Sequence, residues 1–393
     1  MTLPLENVVV VAIEQAVAAP FASRQLADLG ARVIKIERPG SGDFARGYDA
    51  TVKGLASHFV WVNRSKESLT LDLKRPEALE VVRRLLARCD VFIHNLAPGA
   101  VARLGFPTTA LRAEHPRMVI CEMSGYGTTG PYRDKKAYDL LVQSEAGLVS
   151  ITGTPEVPSK VGISIADIAA GMYAFSGILA ALLQRERTGE GAAMDVSMFD
   201  ALGEWMGFPA YYGGYGGPPP PRTGARHAAI APYGPFAAGD GQVVYLGLQN
   251  EREWERFCAA VLEQPDLARD GRFGSNAARV EHQDALDRII TEAFASRTGA
   301  EVIARLDTAG IANARMNTVA EFLEHPQLRA RDRWRQIDSP VGPLRALVPP
   351  FNIEGLDPKM GPVPALGEHT DAILAELGFG PEVVGEWRRG GIV

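Results

Sequence analysis

Cysteine is scarce: Cys89, Cys121 and Cys258 are the only three in 393 residues. An odd number at wide spacing builds neither a disulfide framework nor a zinc site, so buried free thiols are expected and no metal is called for. A surplus of basic residues is missing too. Against 47 aspartates and glutamates stand 41 lysines and arginines, a formal charge of −6, whereas neutralising phosphates takes a basic face. Nucleic acid is therefore excluded as the main partner. Residues 1–5 have neither the basic start nor the apolar core of a secretory signal, which predicts a cytoplasmic protein. Long apolar runs are also absent. The longest stretch poor in charge, residues 168–183, carries glycine, serine and tyrosine. It falls short of the roughly 18 to 20 residues of a membrane span, so a buried core helix is predicted and no membrane partner. No internal repeat is visible. Finally, no G-x-G-x-x-G turn follows the first predicted strand, where Glu14, Gln15 and Ala16 stand, and a dinucleotide-dependent dehydrogenase is set aside.

What is present is ordinary globular material, 46% hydrophobic and 22% charged, enough for two domains of roughly 150 to 200 residues. Residues 8–13 form a continuous β-branched run, typical of a strand covered on both faces. A helical stretch over 20–29, closed by Gly30, and a second strand over 32–37 complete a β-α-β unit. The alternation continues with a helix over 76–88 and strands over 90–96 and 117–123. After the core helix come a turn at 188–191, a strand over 193–197 and a helix from 198. This predicts an α/β fold with a Rossmann-like parallel sheet over residues 1–210. Residues 211–224 (YYGGYGGPPPPRTG) are too rich in glycine and proline for regular structure, so 211–225 is taken as a linker or an active-site loop. A strand over 242–247 and helices over 251–262, 283–295 and 300–309 predict a smaller α/β domain at 226–320. Residues 321–393, proline-rich over 340–364, are expected to return across the large domain.

Three stretches carry a resemblance. The first is Gln15 to Phe21 (QAVAAPF) with Leu29 to Pro39 (LGARVIKIERP) and the pair Gly42 and Asp43. The second is Asn63 to Lys66 (NRSK) with Leu71 to Lys74 (LDLK) and Asn95 to Gly99 (NLAPG). The third joins Gly125 to Gly127 (GYG), the pair Tyr138 and Asp139, and Asp167 at the head of the core helix. Together they resemble the class III CoA transferases of CaiB/BaiF type, the family of formyl-CoA transferase, carnitine CoA transferase and α-methylacyl-CoA racemase. The resemblance covers nearly the whole chain.

It implies a catalytic role for Asp167, which sits where the family carries its nucleophilic aspartate. An ionised carboxylate attacks a thioester carbonyl without a general base. The resemblance further implies an aspartyl anhydride and then an aspartyl-CoA thioester, with the CoA thioester as a substrate and no permanently bound cofactor. On local grounds Asp167 is equally an N-cap before an apolar helix, worth about 1 kcal/mol, and the two roles are compatible because a helix start favours the ionised acid. Gln15 falls beside the reacting carbonyl in the family, where its amide would meet the developing oxyanion; the alternative is a cap on the turn after the first strand.

Coenzyme A combines a nucleotide, phosphates and a long pantetheine arm, so its site needs cations and backbone donors beside an apolar slot. By resemblance, Gln15 and Ala16 lie along the arm with Asn95 and Leu96. Leu73 stands beside Lys74, and Arg38, Lys74, Arg103 and Lys136 meet the phosphates or the nucleotide. Each of these cations is, taken singly, equally a solvated surface charge. For the acceptor, Tyr138, Arg222, Arg226 and His227 are the candidates, the arginines as bidentate partners of a far carboxylate; His227 alternatively is a hydrogen-bonded structural residue.

The racemases of the family have histidine where this chain has Tyr138, and tyrosine is too weak a base near neutrality, so a transferase is favoured over a racemase. No four-glycine loop of the formyl-CoA transferase kind is present. The likeness is to the branch acting on four- and five-carbon dicarboxylates such as malate, mesaconate, itaconate or citramalate, with succinyl-CoA as donor. A protein that binds CoA without turnover is the remaining alternative. The family also implies a ring-shaped protomer in an interlocked homodimer.

Overall fold

Val9–Ile13 (β1) and Arg32–Glu37 (β2) are parallel strands in register Val9 to Arg32, joined by the helix Ala18–Asp28. The computed structural model from which this follows describes residues 2–393. Lys66–Thr70 (β3), Val91–His94 (β4), Val119–Ser124 (β5) and Ala193–Ser197 (β6) complete a six-stranded sheet in the order β3-β2-β1-β4-β5-β6. Every pairing in it is parallel. The order reverses between β1 and β4, and this is where an open α/β sheet leaves a crevice at its strand ends. β1 is fully apolar because both of its faces are covered: Val10, Ala12, Val33, Val91 and Ile93 pack on one side, and Val11, Ile13, Ile34 and Phe92 on the other.

The helix Ala18–Asp28 ends where Gly30 turns left-handed at φ 105°, its N–H and that of Ala31 bonding back to Ala27 and Leu26. Its other neighbour is the helix Ile165–Thr188, whose 24 residues correct the shorter span expected for 168–183. That length, with its composition, is sufficient to cross a membrane, and half of its most apolar stretch is buried. Packing rather than length identifies it as a core helix. Gly171 lets the two helices touch: a Cβ there would meet the Ala18 carbonyl oxygen at 2.8 Å and Phe21 Cδ1 at 2.9 Å.

β3 is the sheet's edge, and the end of the chain covers it. Pro362 O accepts the Ser65 N–H at 2.7 Å, the Ser68 hydroxyl takes the Gly367 N–H at 2.9 Å, and the Thr70 N–H donates to Thr370 Oγ1 at 3.1 Å. Backbone groups that would otherwise be open for pairing are thereby satisfied. The hairpin Trp334–Ile337 and Leu344–Leu347 and the helices Thr370–Glu376 and Pro381–Arg389 belong to the same tail.

The chain divides into two compact units: Met1–Leu148, Val161–Phe208 and Arg329–Val393 form the first, and Val149–Lys160 with Pro209–Leu328 the second. In the second, Tyr233–Ala237, Val243–Gly247 and Ala312–Arg315 make an antiparallel sheet around which Trp254, Phe257, Phe273, Leu286 and Phe294 are buried. Residues 211–214 are helical, part of Gly207–Gly214, so the expectation of no regular structure across 211–224 holds only from residue 215.

Candidate active site

At the switch point the chain leaves β1 through Gln15 and Ala16, and leaves β4 through Asn95. Asn95 clasps Gln15 from one side: the Gln15 N–H donates to Asn95 Oδ1 at 2.9 Å and Asn95 Nδ2 donates to the Gln15 carbonyl at 2.8 Å. Ala16 sits at φ 62°, a left-handed conformation disfavoured for an L-residue, and its N–H donates to Asp43 Oδ1 at 3.0 Å. The Phe44 N–H donates at 3.1 Å to the Gln15 side chain. A backbone N–H only donates, so the atom facing it is the amide oxygen, and the Gln15 NH2 is turned the other way, available as a donor.

Asp167 lies in the first turn of the helix Ile165–Thr188. It is the third helical residue, not the cap expected from its sequence position; Ser164 holds the cap position and makes no side-chain bond there. The capping is done from elsewhere. Asp139 Oδ1 accepts the Ala166 N–H at 2.7 Å and the Asp167 N–H at 3.3 Å, while Gln143 Nε2 holds its other oxygen at 2.6 Å. Gln143 is itself oriented by the Val161 N–H, at 3.0 Å.

Burial pushes the Asp167 carboxyl up to about 7, the neighbouring charge of Asp139 adds to this, and a hydrogen bond from the Ala18 N–H works against it. That bond ties Asp167 to the start of the helix Ala18–Asp28, two residues beyond Ala16. The carboxyl therefore meets two helix N-termini, both of which favour its ionised form, against a dehydrated setting that does not. Tyr48 is a neighbour the sequence did not single out. Its phenol is pushed up to about 12 by burial and by Asp43, Asp167 and Tyr138. Tyr138 itself, just before Asp139, is 66% exposed.

Leu73, Asn95 and Leu96 are half-buried at the strand ends, and Arg38, Lys74, Arg103 and Lys136 are exposed. Among the described residues none of the four has a carboxylate partner, and Arg103 makes only a 3.4 Å contact to the Pro98 carbonyl. Lys135, by contrast, is paired with Glu145 and lies over the Tyr132 ring at 4.2 Å. The distinction between these adjacent lysines was not legible from their order in the chain.

The acceptor candidates of the second unit have partners there. Arg222 donates to the carbonyls of Thr154, Ser150 and Pro155 at 2.9, 3.1 and 2.8 Å, stapling residues 150–155. Arg226 is ion-paired with Asp287 at 2.9 Å. His227 accepts the Ala229 N–H on Nδ1 at 3.1 Å and stacks on Tyr233 with centroids 5.3 Å apart. A hydrogen-bonded structural role is the alternative that the sequence leaves open for His227 alone.

The family model of CoA-transferase family III matches residues 5–370. The chain belongs to CoA-transferase family III. It is accordingly a CoA transferase, as the relatives named next also are. Succinyl-CoA:glutarate CoA-transferase of Homo sapiens is 31% identical over 99% of this chain and 90% of its own length. Succinyl-CoA--D-citramalate CoA-transferase of Chloroflexus aurantiacus is 34% identical over 95% of this chain and 94% of its own. Among solved structures, a CAIB/BAIF family protein from Brucella suis superposes with a TM-score of 0.84 at 33% identity, covering 96% of this chain and all of that one. The α/β fold with a parallel sheet expected from the sequence is that of this family member.

Proposed function

We propose that this family III enzyme moves coenzyme A from succinyl-CoA to a free four- or five-carbon dicarboxylate, with Asp167 as nucleophile. The observation that carries the reading is a carboxylate raised to about 7 and held by the Ala18 N–H, two residues beyond the Gln15–Ala16 turn at the sheet's switch point. The relatives whose names specify succinyl-CoA with glutarate, citramalate or malate support the choice of donor and acceptor.

In the proposed cycle the Asp167 carboxylate attacks the thioester carbonyl, and the free Gln15 NH2 donates to the oxyanion that forms. Collapse breaks the carbon–sulfur bond, leaving a mixed anhydride and CoA thiolate. The thiolate then attacks the aspartyl carbonyl, giving an aspartyl-CoA thioester and free succinate. The acceptor carboxylate attacks that thioester, and the returning thiolate takes up the new acyl group and restores Asp167. Every step exchanges one carboxyl derivative for another, so the chain's own residues supply the whole sequence.

Asn95, Leu96 and Ala16 are assigned to the pantetheine arm, Leu73 to the CoA site beside Lys74, and Arg38, Lys74, Arg103 and Lys136 to the nucleotide and phosphates. The unpaired, exposed state of these cations supports that assignment. A homodimer is part of the reading, supported by the exposure of Met172, Tyr173 and Leu183 on an otherwise apolar core helix.

The test is chromatographic detection of new CoA esters from succinyl-CoA and a panel of glutarate, malate, citramalate, mesaconate, itaconate and oxalate. It is run beside Asp167→Ala and beside hydroxylamine trapping read by mass spectrometry. Esters that vanish in the variant, with a hydroxamate at Asp167, are expected. Transfer that persists in Asp167→Ala would overturn the assignment, and α-proton exchange without transfer would replace it by a racemase.

A further inference from the structure

Glu14, Lys35, Asp43 and Lys66 form a wholly enclosed cluster of charged side chains in the first unit, each with no side-chain surface exposed in its ion pairs. Lys66 places its three donors on Glu14 Oε1 at 2.6 Å, the Pro20 carbonyl at 3.0 Å and Asn63 Oδ1 at 3.0 Å. Lys35 places its own on Asp43 Oδ2 at 2.8 Å, the Glu14 carbonyl at 3.3 Å and Glu14 Oε1 at 3.4 Å. Stability alone does not account for such a cluster, because well-packed apolar residues of the same volume serve as well or better than buried ion pairs. What the cluster touches does account for it.

The contacts converge on the backbone around Gln15. Lys35 holds the carbonyl of residue 14, and through Asp43, whose other oxygen takes the Ala16 and Ala45 N–H groups at 3.0 and 2.9 Å, it holds the amide of residue 16. Asn95 already clasps both groups of residue 15. Three consecutive residues are thus pinned, the last in a left-handed conformation disfavoured for an L-residue. Burial lowers the affinity of Lys35 for its proton, yet Glu14, Asp43 and Glu37 more than offset this and keep it charged. Burial instead brings Lys66 down to about 7, with Glu14 opposing and Lys35 adding to the fall. Lys35 is therefore the permanent cation of the group.

We infer that Lys35, acting through Asp43, is a positioning residue of the transfer reaction: it fixes the Gln15–Ala16 turn so that the Gln15 amide donor faces the reacting carbonyl. This rests on the assignment of that turn to the thioester site. The residue touches no substrate.

The experiment is a double-mutant cycle with Lys35→Met, which keeps length and burial, and Gln15→Ala, read as kcat and KM for succinyl-CoA together with thermal denaturation. A misplacement on the order of 1 Å at a reacting centre costs about a hundredfold, so Lys35→Met should lose about that factor in kcat with KM close to the parent's. In the Gln15→Ala background the same change should cost almost nothing further, because the group it positions is gone. Equal losses in both backgrounds, or an unimpaired folded Lys35→Met, overturn the inference. Should Lys35→Met fail to fold, the isosteric Asp43→Asn enters the same cycle with the same two readings. A parent that transfers CoA to no acid fails the functional reading instead, and this shows before any variant is made.

Discussion

Replacing Asp139 by asparagine should move the pH at which the enzyme becomes active. Asp167 must be ionised to attack, and in the folded protein its carboxyl titrates at about 7, first because it is buried and second because Asp139 repels its charge. Two unit charges 4 to 6 Å apart at an effective dielectric of about 20 repel by roughly 3 to 4 kcal/mol, which bounds the share of Asp139 at two to three pK units. Burial is the larger cause, and solvent at the edge of the half-buried carboxyl partly screens the pair, so a fall of about one unit is expected. Asp139→Asn keeps an oxygen for the Ala166 and Asp167 N–H groups, so the helix start stays capped while the charge is removed, at the cost of the bond from Gln143 Nε2. The assay is kcat/KM for succinyl-CoA against pH from 5 to 9, which reports ionisations of the free enzyme. The parent should rise with a midpoint near 7 and the variant with a midpoint near 6. A variant midpoint that stays with the parent's, or a parent profile flat over this range, refutes the account of how Asp167 is tuned.

The same ionisation bears on stability. A carboxyl whose affinity for its proton is raised on folding lends stability below its unfolded value of 3.8, and loses it as pH rises through about 7. Asp167→Asn, which cannot ionise, should therefore be more stable to unfolding than the parent at pH 8, by up to about 4 kcal/mol, with the gap closing towards pH 4; equal stability at pH 8 in urea denaturation counts against the buried charge. Gln15→Ala should lower kcat by about a hundred- to a thousandfold, the usual loss for one oxyanion donor, and KM for the acyl-CoA far less. A loss confined to KM would make Gln15 a binding residue only. Gly171→Ala introduces a Cβ at 2.8 Å from the Ala18 carbonyl oxygen, so it should destabilise by about 1 to 3 kcal/mol in urea denaturation. Because Ala18 also donates to Asp167, activity should fall in the variant even where it is fully folded.

Where neighbours in the chain decide the structure, the sequence was readable. The apolar run of β1 belongs to a strand covered on both faces, and the observed spans of β1, β2 and β6 agree with the predicted ones to within a residue. Lys66–Thr70 (KESLT) was passed over because its polar side chains are consumed by partners far away: Lys66 by Glu14, Ser68 by Glu37 and the covering tail. The start of the helix Ile165–Thr188 was misplaced for a related reason, since its cap comes from Asp139 on another element and leaves no mark beside residue 165. Asn63, Arg64 and Lys66 entered only by resemblance, and the structure supplies their physical content. Arg64 closes a buried pair with Asp28 at 2.8 Å, and Asn63 and Lys66 complete the enclosure of Glu14. Each unreadable feature is a polar contact spanning tens of residues, and several of these contacts close on the turn that carries Gln15. A pattern of hydrophobic periods locates the sheet and hence the crevice, whereas the polar bonds that hold a reacting group in that crevice become visible only once the strand ends are brought together.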